Sequence, residues 1–208
     1  MKVILDDQML SESLKSVAGA LEAGRQAAES RGRLVIEVHA DGHPLASELL
    51  DNPPEHEAGI IELKMISTPP GPFIRTTLLD AVELLGPIEH DQAEAVGLLQ
   101  TGQVEEALEP LQRALLAWSI LRDLVEKSTQ LGLTDPSRVV VQGGDWATAR
   151  GGGEFIADLA LHLGEVKRTL EIQDFTALAD VLEGGLAADA RSWEHFLRAM
   201  AEAAGGAA

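Results

Sequence analysis

Two arginines and a tryptophan stand close together in a glycine-rich stretch, residues 133–153. Guanidinium groups at Arg138 and Arg150 would donate hydrogen bonds to an anion, and Trp146 would offer an apolar anchor. The stretch holds five glycines and is longer than the two to eight residues that usually join helices in a bundle. We therefore predict a partner- or ligand-binding loop that uses Arg138, Trp146 and Arg150.

Gly151–Gly153 directly precede a predicted helix, so their backbone amides would add to an anion site at its N-terminus. The alternative is a linker, with Val139–Val141 packed as a short strand and Trp146 holding the loop in place. The glycines match neither the Gly-x-x-x-x-Gly-Lys-Ser/Thr phosphate loop nor the Gly-x-Gly-x-x-Gly pattern after a strand.

The sequence offers few arrangements of side chains that are typical of a metal site. A dinuclear site in a helical bundle needs Glu-x-x-His on two helices, and the sequence contains no such motif. The nearest substitute is a polar face on one helix, which we expect to be solvated: Glu154, Asp158, His162 and Glu165. Three histidines near predicted turns, His39, His43 and His56, are expected to be exposed. We predict no metal and no cofactor.

Nucleophilic catalysis has no sequence signature here. The chain has no cysteine, and no serine lies in a Gly-x-Ser-x-Gly elbow. A Ser-His-Asp arrangement is defined by geometry, which the sequence does not specify. We therefore predict no catalytic residue, and the sequence favours a protein that is not an enzyme.

These side chains must be positioned by two kinds of elements. Residues 1–68 predict a small mixed αβ unit with about three strands and one helix. The strands are Val3–Leu5, residues 33–40 with Leu34, Ile36 and Val38 on one face, and residues 59–67 with Ile61, Leu63 and Met65 on one face. The helix would be capped by Ser11 and end at Gly32.

Residues 69–208 predict a four-helix bundle. Three prolines and a glycine in residues 68–72 mark the boundary between the units. Beyond it, apolar residues recur at helical spacing over residues 74–101, 103–131, 154–172 and 174–203, with kinks at Pro87 and Pro110. The fold class is therefore α+β. Similar turns before residues 104 and 175 also suggest two related helical hairpins.

The charge excludes some partners. The chain has 34 acidic and 16 basic residues, a net charge of −18. Residues 1–68 carry −6 (12 acidic, 6 basic) and residues 69–208 carry −12 (22 acidic, 10 basic), so both parts repel phosphate backbones. We expect no nucleic acid and no membrane partner. The acidity would attract a basic protein partner, and it equally fits a charge that keeps the protein soluble or a salty cytoplasm. Without a leader-like or membrane-spanning apolar run, we expect a cytoplasmic protein.

Three functions remain as hypotheses. The leading one is a non-enzymatic protein-interaction module, adaptor or chaperone-like. Leu116, Ile120 and Leu124 widen the apolar face of the second helix, which fits a partner or homodimer surface and equally fits burial between three neighbours within the bundle. The alternative is a small-ligand sensor or enzyme with its site between the αβ unit and the bundle, near residues 133–153. The third is a structural subunit of a larger assembly.

Overall fold

The computed structural model describes residues 1–11, 14–54, 59–132, 134–143 and 146–205. The chain divides into two compact units, Met1–Phe73 and Ile74–Ala208. The sequence placed the division after residue 68, at the proline-rich stretch. The structure is α+β, which confirms the predicted fold class.

The N-terminal unit is built on one mixed five-stranded sheet. Its strands are β1 (Lys2–Leu5), β2 (Gln8–Ser11), β3 (Leu34–Ala40), β4 (His43–Pro44) and β5 (Glu62–Thr68). Its helices are α1 (Val17–Glu29) and α2 (Ser47–Asp51). The strand order is β2-β1-β5-β3-β4, with β1 and β5 parallel and the other pairs antiparallel. The prediction of three strands and one helix was thus too low, because β2, β4 and α2 are too short to show a clear period.

One face of this sheet is covered by α1. Val3 and Leu5 of β1 and Leu63 and Met65 of β5 are fully buried, as the alternation of apolar residues in these strands requires. They pack with the buried Val17, Ala20 and Ala28 of α1. Ile61, which was predicted to share the face of Leu63, precedes the strand and is 78% exposed.

Two further local predictions were wrong. The register of β3 against β5 shifts between Val35 and Glu37, so Val35 and Val38 contact the core while Ile36 is 40% exposed. Such a bulge breaks the strict alternation on which the prediction of one shared face depended. Ser11 does not cap α1 because it lies in β2, and the Ser16 hydroxyl accepts a hydrogen bond from the Gly19 amide at 3.1 Å instead.

The C-terminal unit is helical. Its helices are α3 (Pro70–Val82, which begins in the N-terminal unit), α4 (Leu85–Gln100), α5 (Val104–Gln130), α6 (Gly152–Glu171), α7 (Phe175–Asp180) and α8 (Ala187–Gly205). A π-helical turn, Val181–Leu186, joins α7 to α8 without a break. A 3₁₀ turn (Pro136–Arg138) and the strands β6 (Val140–Val141) and β7 (Arg150–Gly151) lie between α5 and α6.

The predicted helical ranges coincide with α3–α4, α5, α6 and α7–α8. The break comes just before α4, so that Pro87 falls in the first turn of that helix, where no backbone amide is required for the ladder. Pro110 lies within α5, which continues through it. α4 packs along α5 and also contacts α7 and α8, while α6 contacts α7 and α8. Their arrangement as one four-helix bundle stays a prediction.

Aromatic side chains form the centre of this unit. Trp118 and Trp193 meet edge to face with ring centroids 5.3 Å apart, and Phe155 stacks on Phe196 at the same distance. All four are essentially fully buried. Within the described residues, no helix is both long and apolar enough to cross a membrane.

Candidate functional site

The segment predicted as a long loop has regular structure of its own. Strands β6 and β7 pair antiparallel, with Val140 opposite Gly151 and Val141 opposite Arg150. Val139 and Val141 are buried against the helices. Leu133 and residues 144–145 of the predicted loop lie outside the described residues. The hairpin therefore fixes Arg150 at the start of α6.

Of the three side chains predicted to act together, the structure brings two into contact. The Arg150 guanidinium lies 5.7 Å from the ring centroid of Trp146 and 4.5 Å from that of Phe155. Arg138 is in a different depression, where its side chain is 87% exposed and pairs with Asp135 at 3.2 Å. Arg138 is thus separate from the site that Trp146 and Arg150 help to form.

That site is a cleft of about 380 Å³ between the β6–β7 hairpin, α6 and α8. All of its lining residues belong to the C-terminal unit: Trp146, Arg150, Asp158, His162, Ala188, Asp189, Arg191, Ser192 and His195. Asp158 and His162 share a face because they are four residues apart on α6. Ala188, Arg191, Ser192 and His195 repeat at helical spacing on α8, and this polar stripe was not recognised from the sequence.

Arg150 is firmly held within the cleft. Its Nη2 donates to Asp158 Oδ2 at 2.6 Å, and its Nε lies 3.5 Å from Glu154 Oε2. Burial alone would lower the pKa of Arg150, but these two carboxylates outweigh burial and raise it. The guanidinium charge is therefore largely satisfied within the protein.

His162 and Asp189 form the most buried polar pair of the cleft. Nδ1 of His162 lies 2.7 Å from Oδ2 of Asp189, whose carboxylate is almost completely shielded from solvent. Burial raises the pKa of Asp189, and the hydrogen bond with His162 acts against that rise. When Asp189 is ionised, its carboxylate only accepts, so Nδ1 donates and in the neutral ring the lone pair lies on Nε2. No described residue hydrogen-bonds to Nε2.

The close approach of another helix turn orients this ring. Gly185, in the π-helical turn before α8, faces His162 so closely that a Cβ there would lie 2.6 Å from Cδ2 and 3.0 Å from Nε2. Only glycine leaves room for the ring. π-helical turns often occur at functional sites. The consecutive Gly184 and Gly185 in an otherwise helical stretch were the available sequence signal.

The polar face predicted on α6 does not gather around one point. Glu154 caps the Gly151 amide at 2.8 Å, Asp158 binds Arg150, His162 binds Asp189, and Glu165 binds Arg168 at 2.8 Å. Across the described ranges, no three His, Asp or Glu side chains are arranged to hold one metal ion. His43 is exposed, His39 is half-buried with its ring 3.2 Å from Glu37, and His56 lies outside the described residues.

The amides of the Gly151–Gly153 stretch are partly used within the protein. The Gly151 amide donates to the Glu154 carboxylate, and the Gly152 amide donates to the Val139 carbonyl at 2.8 Å. The predicted anion site at the start of α6 therefore has its first donors occupied by the chain itself. The Arg150–His162 cleft is a separate feature.

Comparison of the chain with protein-family models, with curated proteins and with solved structures found no match.

Proposed function

We propose that the C-terminal unit acts on a small molecule bound in the cleft, with His162 as general base. The observation that carries this proposal is the 2.7 Å contact between His162 Nδ1 and the buried Asp189. A carboxylate in this position holds the ring in one orientation and stabilises the imidazolium that forms when Nε2 takes a proton. This favours the enzyme alternative, with a site wholly inside the C-terminal unit.

The reaction class that such a pair supports is hydrolysis of an activated ester or a related bond. Nε2 takes a proton from a water molecule while the water oxygen attacks the carbonyl carbon. The bond to the leaving oxygen then breaks, and the imidazolium returns its proton to that oxygen. The products are one acid and one alcohol, and His162 is regenerated neutral.

Hydrolysis of p-nitrophenyl acetate tests the proposal, because nitrophenolate release is followed directly. We expect His162→Gln to lower the rate above background by about 10²-fold, the usual size of a general-base contribution. His90→Gln is the matched control, because His90 is exposed on α4 and does not line the cleft. Equal rates for the two variants would contradict the proposal.

A second candidate, a protein-interaction module, is favoured by a different observation. Leu116 and Ile120 are 63% and 51% exposed on α5, one turn apart, and the half-buried Leu124 continues the same face. Exposed aliphatic side chains that are contiguous on one helix face are typical of a contact surface. The net charge of −18 would attract a basic partner, and a second copy of the chain is the other candidate.

Self-association through this face is measured by size exclusion with light scattering. We expect Leu116→Gln to shift a dimer toward monomer. Leu161→Gln is the control, because Leu161 is also 63% exposed but lies on α6. A wild-type chain that is monomeric and retains no basic protein would remove the support for this candidate.

A further inference from the structure

Arg191 differs from the other arginine of the cleft. Arg150 is held between Asp158 and Glu154. Arg191, on α8, is exposed and has no carboxylate within 4.0 Å among the described residues. In a chain with 34 acidic and 16 basic residues, an unpaired guanidinium at the edge of a cleft keeps all of its donors free.

Both carboxylates of the cleft are engaged with side chains other than Arg191. Asp158 is paired with Arg150, and Asp189 is buried against His162. Among the described lining residues, Arg191 therefore carries the exposed charge that has no carboxylate partner. Because guanidinium groups bind planar oxyanions through two parallel hydrogen bonds, the free donors of Arg191 suit a carboxylate or a phosphate.

One neighbour on the same face of α8 strengthens the match. Ser192 lines the cleft beside Arg191, and His195 follows one turn later with its ring 5.6 Å from that of Trp146. The Ser192 hydroxyl already donates to the Asp189 carbonyl at 3.0 Å, so the His195 imidazole is the group that adds a donor for the oxygens of the same anionic group. Trp146 gives the apolar wall against which the rest of a small molecule would lie.

We propose that the ligand of the cleft carries an oxyanion, a carboxylate or a phosphate, and that Arg191 recognises it. The inference rests on the proposed function in one respect: the small molecule that Arg191 holds is the one on which His162 acts. Arg191 is then a residue that sets specificity, while His162 carries the chemistry. Arg150 positions the cleft wall and does not bind the ligand charge.

Binding of simple anions to the full chain tests this inference separately from catalysis. Inorganic phosphate and acetate are titrated while the ring signals of His162 and His195 are followed by NMR, and methylammonium serves as the cationic probe. We expect Arg191→Ala to weaken binding of the preferred anion by about 10-fold or more, the size of one charge-assisted hydrogen bond. Arg191→Lys should retain part of the affinity, since it keeps the charge but not the planar fork.

Arg198→Ala is the matched control, because Arg198 is exposed on the same helix, pairs with Glu194 at 2.9 Å and does not line the cleft. Affinity that is equal in wild type, Arg191→Ala and Arg198→Ala would overturn the inference, as would binding of methylammonium alone. The preferred anion, phosphate or acetate, identifies the oxyanion.

The two proposals fail in different ways. If His162→Gln binds the anion but has lost ester hydrolysis, both stand. If anion binding depends on Arg191 while ester hydrolysis is independent of His162, the general-base proposal fails and the oxyanion site stands. If hydrolysis depends on His162 but neither anion binds, the oxyanion inference fails alone.

Discussion

The backbone of Gly185, in the π-helical turn, packs against the imidazole ring of His162 on α6. A Cβ on residue 185 would lie 2.6 Å from Cδ2, 2.9 Å from Cγ and 3.0 Å from Nε2 of the imidazole. Gly184, one residue earlier in the same π-helical turn, would direct its Cβ into open space. Alanine substitutions at these two adjacent glycines therefore distinguish the effect of the contact with the ring from the effect of alanine on the helix.

Gly185→Ala should displace His162 from Asp189. A methyl group at this distance forces the ring to move, and the 2.7 Å hydrogen bond is lost with it. We expect the rate of p-nitrophenyl acetate hydrolysis to fall by about 10²-fold, as for loss of the general base itself. Gly184→Ala should keep the wild-type rate and be up to about 1 kcal/mol more stable, since alanine favours the helix. Full activity in Gly185→Ala would show that the ring position does not matter.

The stability of the C-terminal unit should depend on pH through Asp189. Burial raises its pKa above the ordinary 3.8, so the native chain binds this proton more tightly than the unfolded chain. The contribution of Asp189 to the free energy of unfolding is then greatest below pH 3.8 and falls as pH rises through the native pKa. Asp189→Asn removes that dependence.

Urea denaturation of wild type and Asp189→Asn at a series of pH values measures the difference. We expect the stability of wild type relative to Asp189→Asn to decrease as the pH rises above 3.8. A relative stability that increases with pH would contradict this prediction. It would mean that the hydrogen bond with His162 lowers the pKa of Asp189 by more than burial raises it.

Gly152→Ala should destabilise the C-terminal unit. A Cβ at this first residue of α6 would lie 2.5 Å from the carbonyl oxygen of Pro136 and 2.8 Å from Cε2 of the buried Phe196. Since the Pro136 backbone is fixed in the 3₁₀ turn, we expect a cost of about 1–3 kcal/mol in thermal or chemical unfolding. Gly153→Ala, which meets open space, should be neutral or stabilising. Similar losses of stability in both variants would show that alanine at the start of α6 is destabilising in itself, whether or not its Cβ meets Pro136 and Phe196.

Arg150→Lys tests the role of the planar guanidinium. Lysine keeps the charge near Asp158, but it loses the stacking over Phe155, where the two groups are 4.5 Å apart. We expect a loss of about 1 kcal/mol in the free energy of unfolding. Arg168→Lys, in which the arginine is exposed and pairs with Glu165 on the helix surface, should change stability by less than about 0.5 kcal/mol. Equal losses of stability in the two variants would show that Arg150 contributes no more than an arginine in a surface ion pair.

The sequence predicted the helices well because each buries a stripe that repeats every 3.6 residues. It also predicted the turns before residues 104 and 175, where Gly102 and Gln173 both have positive φ angles and the following amides bond back to Leu98 and Thr169. The number of strands was underestimated. β4 has two residues, which is too few for any period, and the bulge at Ile36 changes which side chains face inward.

The site was predicted only in part, since contacts between distant residues determine it. Trp146 and Arg150 were chosen for their chemistry, and they do line the cleft, but Arg138 was chosen for the same reason and is bound by Asp135 elsewhere. His162 and Asp189 are 27 residues apart on different helices. No spacing rule connects them, whereas the cleft brings them together.

The positions of the three tryptophans give the molecule a useful optical property. The chain has no tyrosine, so indole dominates its ultraviolet emission. Trp118 and Trp193 are shielded at the centre of the helical unit, and Trp146 is half-buried beside Arg150 and His195 at the cleft. Emission from the shielded pair reports whether the unit is folded. Trp146 is the tryptophan that lines the cleft, so we expect its emission to change when the cleft is occupied, without any added label.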